Sequence, residues 1–330
     1  MDYEKQTQQF STFGDKLLQH TDVLHGIQSD RVFRPITVQL SPTEACDSHC
    51  SFCSVANRPR GITPFATIVQ GLTDFRSLGA KSVEVTGGGN PLLYRDGDRT
   101  VNDILSVAHG LGYKTGVITN SERPSKHLNL DDRISWIRVS LAKLDEGKSP
   151  GDYDFSGFDA KKVGLSYIIN SATTPETISR IAEVVDRNPD IKFVRIAPDC
   201  LTEASLTLKR DWGEIIDEMN RHGRFFVKEI NDNFHPYPGG CWVGMVRPYW
   251  TTCGIYICTS HVLISRTYDD RWRLCGAEEI IPAWSRMNER FRSGMSPYDI
   301  DIGKCWHCYY YNNNRLLDAV ISDLPDKDFA

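Results

Sequence analysis

Residues 36–53 decide the reading of this chain: Ile36-Thr37-Val38-Gln39-Leu40, a five-residue linker, then Cys46-Asp47-Ser48-His49-Cys50-Ser51-Phe52-Cys53. The first five residues form a β-branched run of strand length, and the cysteines follow it on a loop. Thiolates spaced three and then two residues apart can hold three corners of a cubane iron–sulfur cluster. Such a set leaves the fourth iron open to a small molecule. A structural zinc site takes four ligands and leaves no open position. His49 is a poor fourth ligand, because it and Cys50 are adjacent and the chain would have to bend sharply to share one ion between them.

Outward from this stretch the chain keeps a regular beat. Thr63-Pro64 opens a helix running to Leu78 before Gly79, and Ser82–Thr86 is a strand that ends in Gly87-Gly88-Gly89. A proline in the first turn and a glycine after the last are the usual punctuation of a helix. Helix over Val101–Leu111, strands over Thr115–Thr119, Ile134–Ser140 and Val163–Ile169, a helix from Thr174-Pro175 to Asn188-Pro189, and a strand over Lys192–Ile196 complete the series. A polar lead-in with one helix around Phe13–Gly26 precedes it. Six strands alternating mostly with helices predict parallel βα units, in which function gathers at the C-terminal strand ends. Cys46–Cys53, Gly87–Pro91, Asn120, Ser140, Asn170 and Pro198–Cys200 all fall at such ends.

The C-x3-C-x2-C motif with an aromatic residue, Phe52, before its last cysteine resembles the signature of the radical S-adenosylmethionine (radical SAM) superfamily. Val83-Glu84-Val85-Thr86-Gly87-Gly88-Gly89-Asn90-Pro91 resembles that family's glycine-rich GGE motif. The resemblance covers roughly residues 34–200 and implies a partial (β/α)6 TIM-like barrel in an α/β chain. It implies that Cys46, Cys50 and Cys53 hold a 4Fe–4S cluster whose open iron binds S-adenosylmethionine, and that electron transfer then yields a 5′-deoxyadenosyl radical. Phe52 would lie near the adenine. Gly87, Gly88 and Gly89 would let backbone approach the methionine ammonium. Asn90 stands where the family carries Glu, so any bond it accepts from the ammonium lacks charge assistance. Ser140 and Asn170 would be hydrogen-bonding partners of ribose or carboxylate, with strand and turn capping as the plain alternative.

Four further cysteines have a suggestive order: Cys258 and Cys275 flank an expected hairpin (261–266 with 271–274), and Cys305-x2-Cys308 follows. This resembles the twitch domain, a shortened SPASM domain with one auxiliary 4Fe–4S cluster. A zinc ribbon is the structural alternative, and Cys253 could replace Cys258 as first ligand. Cys200, past the sixth strand, is either a hydrogen-atom donor, as a cysteine is in some radical SAM epimerases, or a small buried residue. Arg195 points from a strand towards the barrel mouth and suits a carboxylate or phosphate. Tyr237, Trp242, Tyr249 and Trp250 read as packing between segments, and Cys241 has no assigned role.

The rest of the composition sets bounds. The chain has 330 residues, 40% hydrophobic, with 38 basic and 43 acidic side chains and a net charge of −5. It can bury a sizeable core, and no polybasic arm marks it for nucleic acid, although a modified nucleoside is not excluded. No apolar run reaches the ~18–20 residues of a membrane span. A polar, acidic start unlike a targeting peptide predicts a cytoplasmic chain, and ten cysteines there point to metal or redox chemistry rather than disulfides. The expected layout is a lead-in (1–33), the partial barrel (34–204), a connecting segment (205–250) and a twitch-like domain (251–330). The expected activity is hydrogen abstraction from a small-molecule, peptide or nucleoside substrate, with oxidation assisted by the second cluster. Electrons would come from a flavodoxin or ferredoxin. Redox-neutral isomerisation or epimerisation is the alternative, and a non-enzymatic iron–sulfur electron carrier the reading from another class.

Overall fold

Parallel strands need crossovers, and the chain supplies them. In the computed structural model, which describes residues 14–129, 133–201, 208–227, 237–298, 300 and 308–322, the six expected strands all form. They are β1 (Thr37–Leu40), β2 (Ser82–Val85), β3 (Lys114–Thr119), β4 (Trp136–Ser140), β5 (Val163–Ile169) and β6 (Phe193–Pro198). A seventh, β7 (Phe225–Val227), extends the series. Neighbours pair in sequence order and in parallel, for example Val38↔Val83, Val83↔Thr115 and Ile137↔Val163.

The helices between them are set by local signals. α2 (Phe65–Ser77) follows Pro64 and buries Ile68, Leu72 and Phe75 at helical spacing. α3 (Val101–Gly110) starts with a Thr100–Asp103 capping box, and α4 (Pro175–Arg187) with a Thr174–Thr177 box and proline in its first turn. The lead-in, expected as one helix, divides into a 3-10 turn (Gly14–Gln19) and α1 (Thr21–Ser29). α5 (Leu208–Met219) packs on α4 and leads to β7.

The second half joins the same sheet. β8 (Tyr249–Thr251) lies parallel to β1 on its outer side, and β9 (Gly254–Tyr256) and β10 (Arg273–Cys275) follow antiparallel. The order is β10-β9-β8-β1-β2-β3-β4-β5-β6-β7. Trp250 of β8 is fully buried; its ring centroid lies 6.1 Å from that of Phe75 of α2. Phe75 also meets Trp284 of α8 (Ile280–Arg292) edge-on at 5.3 Å. Rings of this size contribute about 1.5–3 kcal/mol each on burial, so the interface fixes β8 against β1.

This corrects the expected hairpin. The hairpin is β8–β9, closed by Thr252-Cys253 with Gly254 at φ +132°, and not 261–274. Thr259–His261 is a 3-10 turn and α7 (Val262–Ser265) a single helical turn that ends on Arg266 at φ +56°. Cys258 Sγ accepts from Ser260 N at 3.3 Å and so caps a turn, which overrides the β preference of the valine–isoleucine run after it. Elsewhere α6 (Val243–Val246) is a short turn before β8, and α9 (Tyr311–Ile321) matches the expected last helix.

Candidate active site

The C-terminal ends of the strands enclose a cavity of about 380 Å³. Cys46, Cys50, Phe52 and Cys53 form one wall, Gly87, Gly88 and Gly89 an adjoining one, and Asn120 and Ser140 come from the ends of β3 and β4. Cys200 and Tyr309 also line it, and the Tyr309 hydroxyl accepts from the Cys200 thiol at 3.1 Å. Eight residues singled out from sequence along the strand ends thus share one chamber with the three cysteines' loop and its Phe52.

Each of these pieces is held by identifiable contacts. The glycine turn is zipped to the 41–45 segment: Gly88 N donates to Ser41 Oγ at 2.6 Å, Gly89 N to Thr43 O at 3.1 Å, and Asn90 N to Ala45 O at 2.7 Å. A β-carbon on Gly89 would lie 2.6 Å from the Glu44 carbonyl carbon, so only glycine permits this approach. Arg266 comes from the far half of the chain and donates to the carbonyls of Cys53 (2.9 Å) and Ser51 (2.9 Å). Asn120 Nδ2 donates to Ser48 Oγ at 2.7 Å and lies 3.6 Å from Cys46 Sγ. Arg58 Nη1 lies 3.6 Å from Cys53 Sγ, while its Nε pairs with Glu44 at 3.2 Å. Glu44 is buried and also accepts from Tyr268 and Thr252. Burial raises its pKa against those bonds.

Not every expected site residue faces the chamber. Asn90 is buried outside it; its Oδ1 accepts from Thr119 Oγ1 (2.8 Å) and Leu92 N (3.2 Å), and its Nδ2 donates to Asp47. Asn170 caps a turn, donating to Asp145 and to Ile168 O and accepting from Ala172 N. Arg195 lies one layer lower in the barrel. Tyr309, Glu44, Tyr268 and Arg266 carried no local signal of their roles, since their partners are distant in sequence.

The three thiols fit a cubane cluster. Donors stand beside two of the sulfurs, and Asn120 Oδ1 is buried at the chamber wall without a partner. Burial pushes the Cys50 thiol up to about 12, reinforced by Glu146 and the other two cysteines. Metal binding requires the thiolate and would release that proton.

Lys143 anchors the loop. Its Nζ is buried and donates to Asp47 Oδ2 at 2.7 Å and Glu122 Oε2 at 2.8 Å. Burial works to raise both carboxyls, but Lys143 outweighs it and holds them below their ordinary 3.8 and 4.5. Burial likewise works to lower Lys143, and the two carboxylates lift it above 10.5. The carboxylates' contribution is present above pH ~4–5 and is lost as pH falls through their depressed values; the lysine's is present below 10.5 and is lost as pH rises through its raised value. Lys143→Met is expected to destabilise the metal-free chain by about 2 kcal/mol at pH 7. That is below the ~3–5 kcal/mol of a fully buried broken pair because Asp47 is 43% exposed. Thermal unfolding at pH 7 and at pH 3 checks this, and a gap that does not narrow in acid contradicts it.

The second cysteine set is arranged differently from expectation. With the hairpin at β8–β9, the cysteines that flank it are Cys241 and Cys258. Both lie close enough to buried Tyr298 to help burial raise its hydroxyl. Asn314 Nδ2 lies 3.5 Å from Cys308 Sγ, and Asn314 Oδ1 accepts from Trp242 N (2.9 Å) and Val243 N (3.0 Å), which ties the Cys308 segment to the residues that follow Cys241. Cys275 pairs with Ile255 on β10, among Glu279, Arg273 and Arg286. Cys253 sits in the hairpin turn, and Cys305 lies outside the described residues.

Known proteins share this architecture. SuiB of Streptococcus suis bound to the precursor peptide SuiA superposes with a TM-score of 0.56 at 18% identity, over 84% of this chain and 73% of that one. SuiB bound to S-adenosylmethionine gives 0.51 at 17%, over 78% and 69%. Native anSMEcpe with bound AdoMet and Cp18Cys peptide gives 0.50 at 12%, over 87% and 99%. These likenesses establish the fold. No curated protein matches the chain. The description "Radical SAM superfamily" matches residues 40–147, the span from the end of β1 through the cysteine loop and glycine turn to beyond β4. The similarity to the radical SAM superfamily thus spans about a third of the chain, the part that carries the cysteine loop and the glycine turn.

Proposed function

We propose that this chain is a radical SAM enzyme that takes hydrogen from a polar substrate and oxidises it. The observation that carries this reading is the chamber shared by Cys46, Cys50, Cys53, the Gly87–Gly89 turn, Cys200 and Tyr309. When bound, the cluster and S-adenosylmethionine supply the 5′-deoxyadenosyl radical. The chain's own residues hold the loop and shape the chamber. Arg266 and Asn120 fix the cysteine loop, Gly87–Gly89 offer backbone to the methionine end, and Phe52 offers a ring to the adenine. Ser140 is in reach of the same chamber, whereas Asn90 and Asn170 act on the scaffold around it. Flavodoxin or ferredoxin would supply electrons, and the family's cofactor chemistry makes the chain an enzyme rather than a carrier.

A peptide side chain is our first substrate class, because SuiB was seen with a precursor peptide and shares the fold. Small polar molecules and nucleosides remain in the same reading. Oxidation needs a second electron acceptor, and the second cysteine set suits an auxiliary 4Fe–4S cluster with Cys258, Cys305 and Cys308 among its ligands. The hairpin geometry favours Cys241 as the fourth over Cys275. Redox-neutral epimerisation is the alternative that one observation favours: Cys200 presents a thiol to the chamber.

The test is iron, labile sulfide and zinc per chain on protein purified without oxygen. Wild type is expected to hold about eight irons. Cys241→Ala and Cys308→Ala should each fall to about four, and Cys275→Ala should keep about eight. About four irons with one zinc would make the second site structural and move the reading to epimerisation. Iron lost on Cys275→Ala and kept on Cys241→Ala would restore the assignment made from spacing.

A further inference from the structure

We infer that the barrel just beneath the chamber holds a site for a carboxylate or phosphate group, between Arg138 and Arg195. Gln39, Glu84, Arg138, Ser166 and Arg195 come from β1, β2, β4, β5 and β6, and Arg247, following α6, joins them. Two residues further along, the same barrel wall carries Thr86, Ser140 and Ile168, all lining the chamber. The polar layer is therefore one step below the chamber floor.

Its charges do not balance. Among the described residues three guanidiniums face one carboxylate, and Glu84 is taken mainly by Arg247, with which it forms a close ion pair. Arg138 is 8% exposed, its Nη2 is 3.9 Å from Glu84, and its Nε has no hydrogen-bond partner. Arg195 is partly exposed, and its buried Nε is likewise without a partner. Burial and then the charge of Arg195 press Arg138 down to about 9, against the pull of Glu84. Arg195 also acts on Tyr309, which lines the chamber, so the layer communicates with it. Uncompensated buried charge costs several kcal/mol, and the planar guanidinium fork suits the paired oxygens of a carboxylate or phosphate.

That the anion belongs to the substrate rests on the reading of the chamber given above; that an anion binds here does not. The test uses cluster-loaded full-length protein kept without oxygen. Its unfolding temperature is followed against sodium acetate, inorganic phosphate and sodium chloride at constant ionic strength. A bound anion raises it along a saturating curve, whereas general salt effects do not saturate. Acetate or phosphate is expected to give such a curve and chloride none, with the better of the two naming the group. Arg195→Gln is expected to raise the half-saturating concentration at least tenfold, and Arg195→Lys, which keeps the charge without the fork, by less. Arg221→Gln, on an exposed arginine, should leave it unchanged.

The idea is overturned if neither anion saturates, or if Arg195→Gln and Arg221→Gln behave alike. The titration repeated with saturating S-adenosylmethionine separates the two sources of carboxylate. Persistence of the anion effect assigns the site to substrate, and its loss assigns it to the carboxylate of S-adenosylmethionine and overturns the substrate assignment. Iron content measured on the same samples reports on the radical SAM reading by itself. Low iron with a saturating anion curve would sink that reading and leave the anion site standing.

Discussion

Cys50→Ala is expected to leave a folded chain that has lost the irons of the first cluster and forms 5′-deoxyadenosine only at background. The expectation follows from position. In the proposed assignment Cys50 is the middle ligand, on a loop in which Cys46 and Cys53 are each fixed from outside: the first by the Asn120–Ser48 contact, the second by Arg58 and the Arg266 clamp. Cys50 has no such side-chain tether among the described residues; its carbonyl accepts from Cys53 N at 3.1 Å within the loop, and the adjacent His49 amide donates to Glu146 at 2.7 Å. Its removal therefore deletes a ligand while disturbing the loop least. A cubane left with two protein ligands has two open corners, where a single open corner is what binding of S-adenosylmethionine requires. The measurement is iron and sulfide per chain, together with 5′-deoxyadenosine released after chemical reduction. Cleavage surviving at more than about a hundredth of wild type, roughly 2.7 kcal/mol of barrier, would show that Cys50 is not a ligand and would dismantle the assignment of the loop.

How far the sequence foretold this structure depends on where each signal resides. β1–β6 were legible because each is a short apolar or β-branched run bounded by glycine, proline or cap residues, and those signals are local. β7 escaped because Phe225-Phe226-Val227 is only three residues long. The β8–β9 hairpin was hidden in a run of aromatics, Tyr249, Trp250 and Tyr256, that reads equally well as packing. Its closure depends on a two-residue turn and on Gly254. The cysteine loop and glycine turn were legible as motifs. What holds them was not: Tyr268 reaches Glu44 across 224 positions and Arg247 reaches Glu84 across 163. Asn90 shows the limit within a motif, since nothing local says that its oxygen serves Thr119 and Leu92 rather than a ligand. Arg138 and Arg195 likewise stand on β4 and β6 with β5 between them, so their action on one another becomes visible only once the sheet is assembled.

Gly89→Ala is expected to weaken S-adenosylmethionine binding about 30- to 100-fold while the chain stays folded. The new methyl would overlap the Ala45 carbonyl oxygen and crowd the Glu44 carbonyl carbon at 2.6 Å. Both are backbone atoms of the segment that leads into Cys46, so neither can swing aside as a side chain would. Either the 43–46 backbone retreats, carrying Cys46 with it, or the glycine turn retreats and the bonds from Gly89 N to Thr43 O and Asn90 N to Ala45 O lengthen. Overpacking of this kind costs about 1–3 kcal/mol. Both movements pull apart the two walls that face S-adenosylmethionine, so ~2–2.7 kcal/mol would appear as lost affinity. Gly110→Ala is the matched control: a methyl there meets nothing within 4 Å at the end of α3. It should leave affinity unchanged and stability equal or higher by ~0.4–1 kcal/mol. Equilibrium binding of S-adenosylmethionine to the cluster-loaded variants, with circular dichroism to confirm the fold, separates the two. Equal affinities for Gly89→Ala and Gly110→Ala would mean that the glycine turn shapes the scaffold alone, and the methionine end would have to be sought on another wall of the chamber.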